Sequence, residues 1–118
     1  MQNRQIEISF LDVNKKVASE FREELQLHIQ HNAPDVEILV KRADEDALDP
    51  GSILVLILSS ELAIEVAKAI VKGIFDWLKH RNTIKLKIEA NGKTIEIEYQ
   101  KGISQEELIV LIQQAANA

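Results

Sequence analysis

The stretch ILVLILSSELAIEVAKAIVKGIFDWLKH, residues 53–80, decides how the chain is built. From Glu61 onward, Glu65, Lys68, Lys72, Asp76 and Lys79 recur every three or four positions with apolar or small residues between them. At about 100° per residue these charges fill one strip of a helix and leave an apolar arc of roughly 240°, far wider than the stripe of about 100° on a usual surface helix. Such a helix needs cover on several sides. Upstream, Ile53 to Leu58 reads in two ways. It either begins one continuous helix entered near Asp49-Pro50-Gly51-Ser52, which we favour, or forms a short buried strand before a helix capped at Ser59 or Ser60.

The surrounding segments supply four strands and two more helices. Ile6, Ile8 and Phe10 alternate with Glu7 and Ser9, as do Val36, Ile38 and Val40 with Glu37 and Lys41, which is the period of a strand with one buried face. Val17, Phe21, Leu25 and Ile29 share one helical face between a cap at Asp12 or Asn14 and a stop at Pro34. Asn91-Gly92 is a type I′ hairpin signal that sets Ile88 opposite Ile95, Leu86 opposite Ile97, Ile84 opposite Tyr99, Lys87 opposite Glu96 and Lys85 opposite Glu98. Ser104 and Glu107 form a capping box for a last helix that buries Leu108, Leu111, Ile112 and Ala115.

The predicted order is therefore β-α-β-α-β-β-α in one α/β domain spanning residues 1–118. Because the second face of each strand is largely polar, all three helices are expected on one side of a four-stranded mixed sheet, as a two-layer sandwich. Right-handed crossovers then give strand order 1-2-3-4 or 1-2-4-3.

Composition narrows the function. The chain has no cysteine, which removes disulfides, thiolate metal sites and a cysteine nucleophile, and nothing at the start resembles a secretory signal, so a cytoplasmic location is expected. The charges inside residues 53–78 argue against a membrane span, since insertion scales set about 2.5 to 3.5 kcal/mol against each central charge. Net charge is -5, with 6 basic and 11 acidic side chains in residues 1–50, which opposes nucleic-acid binding.

No catalytic constellation is visible. His28 and His31 are spaced for one metal, but no cysteine or suitably placed carboxylate joins them, and helix-end dipole partners are the simpler reading. Asp44, Glu45, Asp46 and Asp49 lack the glycine and terminal glutamate of an EF-hand loop. Ser59-Ser60 lacks a glycine elbow. Lys79, His80, Arg81, Lys85 and Lys87 form the one basic cluster, best explained as a helix end plus cross-strand pairs. No catalytic residue, cofactor or metal ligand is assigned.

What remains is a surface. On one flank of the long helix Ile64, Ala67, Val71, Ile74 and Leu78 follow the 3,4 spacing of a helix–helix seam with Phe75 beside them, and Ile64, Val71, Phe75 and Leu78 are its candidate contact residues. Either another helix of the same domain fills it, or it is an interface for self-association or a protein partner. A small ligand-binding or regulatory domain, with its pocket between the long helix and the sheet, is the alternative.

From Asp49-Pro50-Gly51 through Gly73-Ile74-Phe75-Asp76-Trp77-Leu78-Lys79 to Ile88-Glu89-Ala90-Asn91-Gly92-Lys93 and Ser104-Gln105-Glu106-Glu107-Leu108, the chain resembles the effector-associated constant component family. The resemblance covers about residues 49–115. It implies a small non-enzymatic adaptor acting beside an effector or regulator in a bacterial conflict system. The charged strip from Glu61 to Lys79 departs from the more uniformly apolar helices of that family.

Overall fold

A computed structural model describes residues 4–42, 51–58, 63–81, 83–90, 92–99 and 101–116. The elements are β1 (Gln5–Leu11), α1 (Lys15–Asn32), β2 (Glu37–Lys41), β3 (Ile53–Ile57), α2 (Ile64–His80), β4 (Lys85–Ala90), β5 (Lys93–Ile97) and α3 (Gln105–Ala116).

The favoured continuous helix is corrected. Residues 53–57 are a strand, and α2 starts only at Ile64, after an N-cap at Ala63 that makes no side-chain cap bond. Ser59 and Ser60, the expected caps, lie outside the described residues. The run Ile-Leu-Val-Leu-Ile is short and rich in β-branched residues, as suits a strand flanked on both sides by others. β3 lies between β2 and β1.

That extra strand also overturns the expected four-stranded mixed sheet. Among the described residues the sheet has five strands in the order β2-β3-β1-β4-β5, with every neighbouring pair antiparallel. The connections through α1 and α2 still join parallel strands, but each spans one intervening strand, β3 in the first case and β1 in the second. The first six elements thus form the split β-α-β, ferredoxin-like arrangement, and β5 with α3 extends it. A fold so widely used indicates no function by itself.

The expected hairpin register holds for Leu86 with Ile97, Lys87 with Glu96 and Ile88 with Ile95. It ends earlier than expected. β5 stops at Ile97, and Glu98 bridges to Lys101 instead of pairing with Lys85. The chain turns back here so tightly that a Cβ on Gly102, at φ 95°, would lie 2.8 Å from the Glu96 carbonyl oxygen. Ser104 and Glu107 then cap α3 reciprocally, the Glu107 amide donating to Ser104 Oγ at 3.2 Å. Asn14 caps α1 by accepting from the Val17 amide at 2.9 Å.

One core holds the layers together. Ile6, Ile8, Leu54, Leu56, Leu86 and Ile88 face the helices from the three inner strands, and Leu25, Ile29, Ile70, Ile74 and Trp77 meet them. α2 packs between α1 and α3. Its small residue Gly73 permits close approach to α1, because a Cβ there would sit 3.0 Å from the His28 carbonyl oxygen and from the Ile29 Cα. Three sides of α2 are therefore enclosed, and Glu65, Lys68, Lys72 and Lys79 lie on the exposed fourth. No helix of the described residues is long and apolar enough to cross a membrane.

The open face of the sheet is less uniformly polar than expected. Glu7, Lys87, Glu89 and Glu96 line one half, but Leu39, Ile53, Val55 and Ile57 line the other. Val55 is only 5% exposed on this side, which no described helix covers. Lys41 of β2 reaches across β3 to Glu7 of β1, Nζ to Oε1 at 3.2 Å.

Candidate functional site

The expected seam does not exist as an exposed stripe. Val71 and Leu78 have no exposure, Phe75 is half-buried, and only Ile64, at 43%, is open to solvent. Gly73 faces α1, and Val71, Phe75 and Leu78 lie well around the helix from it, on the flank that meets α3. Burial of this flank within the chain is the correction.

The sequence-predicted polar groups are also dispersed. Arg81 forks onto Glu24, with Nη2 2.8 Å from Oε1 and 2.9 Å from Oε2, and its guanidinium lies 5.3 Å from the centre of the Phe21 ring. Lys87 instead pairs with Glu89 at 3.1 Å on the open sheet face. His28 Nδ1 is 3.0 Å from the Glu24 backbone carbonyl, so that nitrogen is held as a donor in the turn of α1. His31 is exposed, and the His28 and His80 rings are 6.5 Å apart. With Leu27, Asn32, Lys72 and Asp76, His28 and His31 line a groove of about 380 Å³ between α1 and α2. Among the described residues no three His, Cys, Asp or Glu side chains are placed to hold one metal ion. The acidic stretch Asp44 to Asp49 lies outside the described residues.

A second groove, of about 400 Å³, runs between α3 and β5. Ile95, Ile103, Val110 and Leu111 are its apolar lining, and Lys93, Glu106, Glu107 and Gln114 its polar lining. Each residue is placed by a separate constraint. The hairpin register turns Ile95 to the helix side, the capping box fixes where α3 starts, and the helical period then brings Val110 beside Leu111 at the rim. Val110 is 51% exposed.

This groove was missed in the sequence because its members come from a strand, a turn and a helix with no shared spacing. One signal was present: Leu108, Leu111, Ile112 and Ala115 account for the buried face of α3, which leaves Val110 as an apolar residue off that face. Both grooves lie at the rim of the helical layer, whereas α2 presents the fully enclosed Ile70, Ile74 and Trp77 towards the core.

No family model, curated protein or solved structure matches the chain.

Proposed function

We propose that the protein is a non-enzymatic interaction module that receives a short segment of a protein partner in the groove between α3 and β5. The observation that carries this reading is the set Ile95, Ile103 and Val110, three apolar side chains left partly open along one channel. Burying a fully exposed side chain of this size is worth about 1.5 to 3 kcal/mol, and these three, already partly covered, each gain a fraction of that, which together offsets part of the ordering of a bound segment. Glu106 beside the channel favours a basic residue in that segment, next to its apolar anchors.

The resemblance of residues 49–115 to effector-associated constant components supports the adaptor role and suggests an effector or its regulator as the partner. Selection of a displayed peptide library on the purified protein tests the reading. The expected outcome is enrichment of sequences with spaced apolar residues and a flanking Lys or Arg, whose binding shifts the amide resonances of Ile95, Ile103 and Val110 and is lost in Val110→Glu. Enrichment of nothing, or of peptides that bind Val110→Glu equally well, refutes it.

A further inference from the structure

The two edges of the sheet are finished differently. At the C-terminal end of β5 the chain folds back on itself, where Lys101 bonds to Glu98 and Gly102 lies against the Glu96 carbonyl. No described strand or turn covers the outer side of β2. Its residues are almost all exposed, including Leu39 at 50% and Val40 at 40%, although both flank the ladder with β3. An edge of unpaired amides and carbonyls beside exposed apolar side chains is a template for another strand.

The sequence of that edge specifies which strand. From Glu37 to Lys41 it reads acidic, apolar, apolar, apolar, basic. Side chains alternate faces, so a second β2 added antiparallel to the same sheet must align residues of equal parity. With the two-fold axis at Leu39, that residue meets its own copy, Ile38 meets Val40 of the second copy, and Glu37 meets Lys41 of the second copy on the open face. The ion pair and the Ile–Val pair each occur twice. Moving the axis one residue either way sets Leu39 against a charged side chain. We infer that β2 is a homodimerisation edge, joining two copies antiparallel about Leu39 into one continuous sheet with all helices on the same side.

The net charge of -5 on each copy opposes association. Free charges more than about 8 Å apart are largely screened at physiological ionic strength, whereas the Glu37–Lys41 pairs act in contact. Lys41 can serve Glu7 and Glu37 of the second copy together, since an ammonium carries three donors. The contact is independent of the α3–β5 groove, and it leaves that groove open at each far end of the joined sheet.

Sedimentation equilibrium of the 13.3 kDa chain, from low to high micromolar concentration, is the test. The wild type is expected to shift towards twice that mass. Glu37→Lys should weaken the dimer about tenfold or more by setting like charges opposite each other at two places, and Lys41→Glu should do the same. The double variant Glu37→Lys with Lys41→Glu restores opposite charges across the axis and should recover dimerisation, which simple misfolding would not allow. Because the chain has no cysteine, Leu39→Cys should form an interchain disulfide under mild oxidation, whereas Val110→Cys should not. A mass that stays at one chain throughout the concentration range overturns the inference. So does a dimer that ignores both charge reversals, or one that crosslinks through position 110 and not 39.

Discussion

The indole Nε1 of Trp77 donates to Glu24 Oε1 across the α1–α2 interface at 3.3 Å. Trp77 is 1% exposed and stands edge-on to both Phe10 and Phe21, at centroid distances of 5.5 and 5.6 Å. One carboxylate thus satisfies a buried donor and anchors Arg81 at the end of α2. Glu24→Ala leaves the indole N–H without that acceptor, at a cost of about 1 to 3 kcal/mol in urea denaturation. Glu24→Gln keeps an amide oxygen there and should lose distinctly less. Trp77 is the only tryptophan, so its emission reports the change directly.

Gly73 presents a conflict between local and tertiary preference. Alanine is favoured over glycine inside a helix by about 1 kcal/mol. At this position, however, the added carbon meets the backbone of α1, which cannot move aside as a side chain can. Gly73→Ala is expected to be destabilising on balance, and Gly73→Val to cost about 2 kcal/mol or more by overpacking. A melting temperature raised by either substitution would refute the close-crossing account.

Gly102→Ala tests the turn that closes the end of β5. The residue has φ 95° and an obstructed Cβ position, so the substitution strains the turn and pushes it off β5. The expected loss is about 1 to 3 kcal/mol. Faster hydrogen exchange at the Glu98 and Lys101 amides should accompany it, because those two groups bond to each other's carbonyls.

Val110→Glu separates binding from folding. With half of its side chain in solvent, the change should stay within about 0.5 kcal/mol of wild-type stability. Leu111→Glu, one residue further and 5% exposed, should instead unfold the chain or cost several kcal/mol by burying a charge. Similar stabilities for the two variants would mean that the rim of α3 is placed wrongly.

Features set by neighbours in sequence were legible from residues alone. The cap at Asn14, one of the two that the sequence offers, the Ser104–Glu107 box and the β4–β5 register as far as Ile97 all follow from local turn and capping chemistry. Residues 53–57 were misread because their apolar run continues without a break into the apolar arc of α2, and periodicity cannot separate a flanked strand from a buried helix. Strand order escaped for a related reason: once β3 exists, pairing is decided between segments far apart in the chain. The exposed character of β2 depends on that order too. Leu39 did carry a signal, being apolar on the face it shares with Glu37 and Lys41. Val71 and Leu78 looked available only because helical spacing says nothing about which neighbour covers a flank.

Placing β1 at the middle of the sheet has a consequence for biogenesis. Its partners are β3 and β4, which begin at Ile53 and Lys85, so β1 cannot be paired on both sides until those later segments have also been synthesised. Assembly of the sheet is then late and governed by distant pairings, the regime in which folding is slow and nascent chains benefit from chaperones.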